Sequence, residues 1–271
     1  MIFQQPSPSS TQSSEPQEVS EGRIHPEYRA MGISRVPIPE AKRCFSVKWP
    51  EYTNLSSEQF DHPAVVEQWK KNGSSGWADS PDIRAQTHVN APSYLGPVHH
   101  DENGYPLNPM GRTGIPRGRG VLGKWGVNQA ADAVVFRSAP VTGLLEVLLI
   151  VRCDTGTLAL PGGFVDAPER GNSHLTASRE LKEEAGIELS FEPSQRCFAG
   201  YIDDSRNTDN AWIESAGYCT FLGDSLLALR AGDDATDARW VTVTPLLLKA
   251  LFANHSEMVK AGMEKLGLVE I

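Results

Sequence analysis

One stretch, residues 161–187, limits the folds open to this chain more than any other. It begins with a Pro-Gly-Gly turn and continues into a predicted helix over Ser173 to Ala185. Asn172 or Ser173 can cap the start of this helix, and Gly186 is placed to end it. Apolar side chains recur every four positions along it, at Ala177, Leu181 and Ala185. The stretch therefore predicts a tight turn followed by an amphipathic helix that packs on a core.

Three carboxylates lie on one stripe of the predicted helix. Glu180, Glu183 and Glu184 have the spacing i, i+3, i+4, at which like charges repel by a few tenths of a kcal/mol, roughly, per exposed pair. A divalent cation would turn that repulsion into ligation, since hard Mg²⁺ or Mn²⁺ prefers carboxylate oxygens. The same stripe alone is also typical of a solvated helix face.

The second half of the chain alternates strand and helix patterns. The strand candidates are Ala133 to Arg137, Glu146 to Arg152, Thr157 to Leu160, Arg196 to Ile202, Trp212 to Phe221 and Arg239 to Val243. A second helix is predicted over Pro245 to Leu266. Trp212 and Trp240 fall in strand patterns, and we expect them in the core. Strands interleaved with helices predict an α/β or α+β fold in which a mixed sheet lies between helices.

The first half divides into two parts. Residues 1–30 begin with a Ser-, Pro- and Gln-rich segment that has no Lys or Arg before Arg23, which predicts a disordered tail. Residues 31–125 are rich in turn-forming residues, with one helix expected from about Ser57 to Lys71, and predict a smaller N-terminal lobe of short elements. Residues 126–271 are then expected to form the larger domain, which contains the acidic helix.

Charge and hydropathy exclude some classes of partner. The chain carries 25 Lys plus Arg against 34 Asp plus Glu, a net charge of -9, which argues against binding nucleic acid or anionic lipid through bulk positive charge. Apolar runs such as Leu144 to Val151 are far shorter than the ~20 residues of a membrane-spanning helix. The four cysteines are widely separated and read as reduced thiols, as in the cytoplasm. Binding of nucleic acid and insertion into a membrane are therefore not expected.

The stretch also matches a known pattern. Its fixed positions are Gly163, Glu169, Arg179, Glu180, Leu181, Glu183, Glu184, Gly186 and Ile187. In these residues it resembles the Nudix box, here residues 163–187, which implies a Nudix α/β/α sandwich. Nine residues, Arg170 to Ser178, separate Glu169 from Arg179, two more than in the family pattern. We expect the two extra residues to enlarge the loop before the helix and to leave the helix glutamates in register.

Further segments resemble one branch of that family. They are Asn108 to Gly126, Gly200 to Trp212, Ala231 to Ala235 and Phe252 to His255. They look like the ADP-ribose pyrophosphatases of animal mitochondria and the homologous C-terminal domain of the ADP-ribose-gated melastatin TRP channel. The resemblance runs from about residue 33 to the end. It implies hydrolysis of ADP-ribose to AMP and ribose 5-phosphate; the alternative is an ADP-ribose-binding sensor domain of a channel-type protein. The intact box favours hydrolysis.

The resemblance implies roles for individual residues. Glu180, Glu183 and Glu184 would hold Mg²⁺, or Mn²⁺, with Glu169 as an outer ligand, and Arg179 would orient these carboxylates. The substrate-binding residues would be Thr113, Asp204, Arg206, Asn207, Phe252 and His255. Phe252 stands where the family has Tyr beside the adenine, so stacking can survive although a phenolic hydrogen bond cannot.

Other points stay open at this stage. The general base could be among Asp203, Asp209, Asp233 and Asp234, although aspartates in turns more often act as caps. Arg117, Arg119 and Lys124 are equally consistent with a phosphate-steering patch and with ordinary surface. The chain would be mitochondrial only if a transit peptide had been removed, and would lie on the cytosolic side if cut from a channel. Its oligomeric state is not readable.

Overall fold

A mixed sheet of seven strands lies at the centre of the fold. The computed structural model describes residues 24–55, 60–73, 76–85, 91–224 and 235–268. The strands are β1 Gly126–Ser138, β2 Leu145–Arg152, β3 Leu158–Ala159, β4 Gly162–Phe164, β5 Arg196–Ile202, β6 Ala211–Phe221 and β7 Ala235–Thr242. Their order is β3-β2-β1-β6-β5, with β4 paired to β1 and β7 paired to β2. The central pair, β1 and β6, is parallel, and the other pairs are antiparallel. The predicted mixed sheet is confirmed.

Two helices, α4 Ser173–Ala185 and α6 His255–Leu266, cover the two faces of this sheet. The other helices are α1 Pro26–Ala30, α2 Pro50–Leu55, α3 Pro63–Asn72 and α5 Pro245–Ala250. Side chains of β1 alternate between two cores, as the two-residue period of a strand requires. Ala133 and Val135 lie in the core that includes α4 residues, whereas Val134 and Phe136 lie in the core that includes α6 residues. This is the expected α/β/α sandwich.

Two predicted helices differ from the observed ones. The helix expected from Ser57 begins at Pro63, where the His62 side chain caps it by accepting from the Ala64 N–H. The helix expected over Pro245 to Leu266 is broken into α5 and α6, because the Phe252 N–H bonds to the carbonyl of Leu158 beside β3. In contrast, α4 has the predicted ends, and Gly186 closes it in the left-handed conformation with φ 70°.

The N-terminal arm, residues 24–36, is ordered and lies against the sheet domain. Residues 24–30 belong to the expected disordered tail, but Pro26–Ala30 form α1 and Tyr28 is fully buried. The Tyr28 hydroxyl donates to the carbonyl of Arg206 at 2.6 Å. This burial offsets the ordering entropy of a segment whose composition alone predicts disorder. Residues 1–23 of the expected tail lie outside the described residues.

The basic loop before β1 is structural. Arg119 is completely buried and makes a two-pronged contact with Asp61, and the Lys124 ammonium lies 3.1 Å from the Asp79 carboxylate. These paired charges face the interior, so the loop is not a phosphate-steering patch at these two positions.

Asp209 joins the lobe to the sheet domain. Its carboxylate accepts from the Thr113 N–H, the Thr113 hydroxyl and the Tyr52 hydroxyl, at 2.6 to 2.8 Å. Asp209 therefore acts as a structural cap, the second of the two readings that its sequence left open.

Within the described ranges, the helices are all too short or too polar to cross a membrane.

Candidate active site

A cavity of about 380 Å³ opens where β1, β2, β4 and β6 meet α4 and the start of α6. Its charged lining is unbalanced. The carboxylates are Asp132, Asp154, Glu180, Glu184 and Asp204, and the guanidiniums are Arg152 and Arg206. Five acidic groups against two permanent cations leave this concave site short of positive charge.

Asp132 lines the cavity from β1 and is 6% exposed. The Ser215 hydroxyl on β6 donates to it, and His255 Nε2 lies 3.9 Å from its other oxygen. His255 Nδ1 accepts from the Leu160 N–H at 3.0 Å, so the neutral imidazole carries its proton on Nε2, facing Asp132. Burial raises the pKa of Asp132 and lowers the pKa of His255, so burial favours the neutral form of each.

Two carboxylates of α4 reach into the cavity beside β4. Glu184 accepts from the Gly162 N–H at 2.9 Å. Burial, reinforced by the charges of Glu180 and Asp132, raises the pKa of Glu184 to about 7, and burial also raises the pKa of Glu180. A Cβ on Gly163 would collide with the Glu180 carboxylate, so a glycine is needed where β4 passes α4.

Arg179 binds one carboxylate that lines the cavity, Glu180, and two that lie outside its lining, Glu169 and Glu183. Its guanidinium donates to Glu169 at 2.9 Å, to Glu180 at 2.7 Å and to Glu183 at 2.9 Å. The Thr176 hydroxyl also donates to Glu169, at 2.7 Å. Burial raises the pKa of Glu169, but these hydrogen bonds outweigh it and leave the pKa below its ordinary value. Arg179 thus positions the acidic face of α4, as the sequence suggests.

The opposite wall is a paired charge in the loop after β5. Arg206 donates to both oxygens of Asp204, at 2.9 and 2.7 Å, and its guanidinium lies 5.4 Å from the centre of the Phe164 ring. The N-terminal arm holds the backbone of this loop, because Arg35 donates to the carbonyls of Ser205 and Asn207 at 2.7 and 2.9 Å. The loop is therefore fixed from behind.

A third group of side chains lies near the end of β2. Arg152 donates to both oxygens of Asp154, at 2.9 and 2.6 Å, and its guanidinium lies 4.4 Å from the centre of the Phe252 ring. His255 approaches Phe252 edge-on, with ring centres 5.6 Å apart. His25 of the N-terminal arm lies 3.8 Å from Asp154.

Comparison with known proteins identifies this architecture. Residues 128–262 match the NUDIX domain family, and residues 38–126 match the family of NUDT9-like N-terminal domains. The mitochondrial ADP-ribose pyrophosphatase of Rattus norvegicus is 34% identical over 88% of this chain and 76% of its own length. The chain belongs to the Nudix family.

Other relatives of this Nudix chain differ in size. Nudix hydrolase 6 of Caenorhabditis elegans is 35% identical over 86% of this chain and 91% of its own length. The transient receptor potential cation channel subfamily M member-like 2 of Nematostella vectensis is 32% identical over 86% of this chain, but the match covers only 17% of that channel. The two-part organisation thus occurs both in proteins of similar length and within a much longer one.

The Nudix cavity brings together six of the residues expected in the site. They are Glu180, Glu184, Asp204, Arg206, Phe252 and His255. Five others stand outside its lining as the structure describes it: Thr113, Glu169, Arg179, Glu183 and Asn207. Thr113 is bound to Asp209, and Asn207 supports the loop by donating to the Tyr201 hydroxyl and the Ile202 carbonyl.

Four polar residues of the cavity were not expected from the sequence: Asp132, Arg152, Asp154 and Ser215. Of these four, only Asp132 could have been recognised as a site residue from the sequence, because it is the one charged residue within the otherwise apolar segment Ala130 to Phe136. A carboxylate in a strand buried on both faces needs a partner or a function. Of the proposed bases, Asp233 and Asp234 lie outside the described residues.

The donor set suits a hard divalent cation. Asp132, Glu180 and Glu184 carry oxygen ligands, and the charges of Asp132 and Glu180 raise the pKa of Glu184. A cation would remove that repulsion. Among the described residues, however, no three His, Cys, Asp or Glu side chains already form a metal cage. Arg179 holds Glu180 by one oxygen, so binding a cation would require the α4 carboxylates to shift.

Proposed function

We propose that this chain hydrolyses the pyrophosphate bond of ADP-ribose to AMP and ribose 5-phosphate, with Mg²⁺ as cofactor. One observation carries the proposal: the acidic face of the Nudix helix and the Asp204–Arg206 pair line the same cavity. Carboxylates can hold a cation against the phosphates, and Arg206 offers a guanidinium to their oxygens. The likeness to the rat ADP-ribose pyrophosphatase supports this choice of substrate.

The charges of the cavity explain why a cation is needed. A pyrophosphate diester carries two negative charges, and the lining already holds five carboxylates against two guanidiniums. Glu180 and Glu184 would hold Mg²⁺, or Mn²⁺, with Glu169 and Glu183 kept nearby by Arg179. When bound, the metal neutralises phosphate charge and lowers the pKa of a coordinated water.

The chain's own residues supply orientation. Asp204 fixes the plane of the Arg206 guanidinium, so that the N–H groups of Arg206 that do not bind Asp204 are oriented before the substrate arrives. The Ser215 hydroxyl donates to Asp132 and the His255 Nε2–H faces it, so this carboxylate is oriented within the cavity lining. Groups that are oriented before the substrate arrives need no reorganisation during the reaction.

The proposal is tested by product analysis. With Mg²⁺ the chain should release AMP and ribose 5-phosphate from ADP-ribose, and excess chelator should stop the release. Glu183→Gln combined with Glu184→Gln should lower turnover by about a thousandfold, roughly 4 kcal/mol of barrier. Glu188→Gln is the matched control, because Glu188 is an exposed glutamate just beyond α4 that pairs with Lys182. Absence of AMP release by the wild type, measured by chromatography, would refute the proposal. Full activity in the double variant would refute the role of the α4 carboxylates.

Substrate choice and the sensor alternative are resolved in the same assay. ADP-ribose should be hydrolysed faster than ADP-glucose, NADH or diadenosine polyphosphates. Binding of ADP-ribose to the wild-type chain without release of AMP, measured by calorimetry with Mg²⁺ present, would instead support the channel-type sensor function.

A further inference from the structure

The Arg152 guanidinium lies over the Phe252 ring, 4.4 Å from its centre, and lines the same cavity as the Nudix carboxylates. We propose that Arg152 is a substrate-binding residue on which the base of the nucleotide stacks, with Phe252 as the layer beneath it. This inference rests on the proposed function, since it assumes a substrate that carries an aromatic base. It assigns a role to a residue that the sequence pattern does not single out.

The guanidinium is held in one plane. Both of its contacts to Asp154 are short, at 2.9 and 2.6 Å, so the pair has the two-pronged geometry that fixes orientation as well as position. Asp154 is held in turn by His25. The neighbouring His25 and the hydrogen bonds from Arg152 keep the pKa of Asp154 well below its usual range, so the pair stays ionised. A planar group fixed on both sides loses little freedom when a ring stacks on it.

The position within the cavity favours a base over a phosphate. The charge of Arg152 is already matched by Asp154, and the lining also includes the apolar side chains of Leu160 and of Ile150, which packs with Phe252. The other phenylalanine of the cavity, Phe164, adjoins the acidic end: its carbonyl accepts from Arg179, and a Cβ on the residue before it, Gly163, would meet the Glu180 carboxylate. The phosphates belong at that acidic end with their cation, which leaves the Arg152 end for the base.

The arrangement of rings favours Arg152 over Phe252 as the contacting surface. The guanidinium covers one face of the Phe252 ring at 4.4 Å, and His255 meets the same ring edge-on. A base that enters beside Phe252 therefore finds the outer face of the guanidinium. Guanidinium planes stack on aromatic rings through cation–π attraction as well as dispersion, and this stacking tolerates different bases.

Two variants separate stacking from charge. Arg152→Lys keeps the positive charge but loses the plane, and we expect KM for ADP-ribose to rise about tenfold while kcat stays within about twofold. Asp154→Asn leaves the guanidinium but loosens its anchor, and should raise KM by a smaller factor. Arg239→Lys is the matched control, because Arg239 is an exposed arginine beside Asp237 on β7, outside the cavity lining. It should leave KM unchanged.

A spectroscopic probe reports the contact itself. The fluorescence of 1,N6-ethenoadenosine diphosphate ribose, followed by stopped flow with Mg²⁺ before turnover, should change on binding to the wild type and to Arg239→Lys. The change should be lost in Arg152→Lys at a probe concentration that saturates the variant. Wild-type KM and an undiminished fluorescence change in a folded Arg152→Lys variant would overturn the proposal. If the wild type shows the fluorescence change but releases no AMP, the proposed hydrolysis fails while the stacking role stands.

Discussion

The two charged walls of the cavity are built in different ways. One wall, α4 with β4, comes from a single stretch of sequence, and Arg179 neutralises its carboxylates within the same helix. The other wall, the Asp204–Arg206 pair, sits on a loop whose backbone is held by residues about 170 positions earlier in the chain. The first wall can be read from local spacing, whereas the second exists only after the N-terminal arm has docked.

This difference separates two kinds of dependence. A change on α4 acts directly on groups that face the cavity or hold its carboxylates. A change in the arm acts at a distance, through the position of the loop. The first should alter turnover, and the second should alter substrate affinity.

The largest effect is expected within the first wall, between two adjacent glutamates. Glu184 is 7% exposed and lines the cavity, whereas the Glu183 side chain is 55% exposed and pairs with Arg179. We expect Glu184→Gln to lower kcat by about a hundredfold or more and Glu183→Gln by about tenfold or less, the cost typical of an outer group. Initial rates of AMP release with saturating Mg²⁺ measure both. Equal losses of kcat in the two variants would show that Glu183 and Glu184 contribute equally to turnover.

A smaller effect should follow from breaking the support of the second wall. Arg35 donates to the carbonyls of Thr113, Ser205 and Asn207. Arg35→Ala leaves these carbonyls without their donor and frees the loop, so we expect KM for ADP-ribose to rise about tenfold while kcat changes less than about threefold. Arg29→Ala, at an exposed position of α1, is the control. A fall in kcat with KM unchanged would place the loop in the chemical step instead.

The smallest effect concerns stability where the lobe joins the sheet domain. Burial raises the pKa of Asp209 to about 6, against roughly 4 in an unfolded chain. Between these values the folded protein binds a proton that the unfolded chain has released, so this residue makes the free energy of unfolding fall as pH rises from about 4 to 6. The loss amounts to roughly 3 kcal/mol, at about 1.4 kcal/mol per pKa unit, and persists above that window.

Asp209→Asn tests this directly, because an amide cannot ionise. Urea unfolding of the wild type and the variant at pH 4.5 and pH 7 should show the variant gaining stability relative to the wild type at the higher pH. A difference between the two proteins that does not vary with pH would mean that Asp209 titrates normally in the folded state.

Sequence reasoning reaches as far as local patterns do. The helix Ser173 to Ala185 and the strand Arg196 to Ile202 have the predicted ends, because caps, spacing and apolar runs act over a few residues. Six of the residues assigned to the site by resemblance line the cavity. Arg152 and Asp154 were not singled out, since an arginine and an aspartate at a strand end look like an ordinary turn until Phe252, about 100 residues later, packs on Arg152.

The N-terminal arm also shows that local sequence patterns do not predict order that depends on distant residues. A short segment such as Pro26–Ala30 has too few residues to form a helix by itself, so nothing local predicts its order. It is ordered because the buried Tyr28 ring packs edge-on against Phe60 and its hydroxyl donates to the carbonyl of Arg206, both of which are distant in the sequence.

The parallel pairing of β1 with β6 makes a misaligned sheet less stable than the correct one. Gly126 to Phe136 pair in one unbroken register with Ala211 to Phe221, and this register sets Asp132 beside the Ser215 hydroxyl. A slip by one residue would turn every side chain of β1 to the other face. It would move Asp132 into the mainly apolar core under α4, away from the Ser215 hydroxyl. A misaligned chain would therefore be less stable as well as inactive, and a buried residue of the site would also select the correct alignment of the sheet.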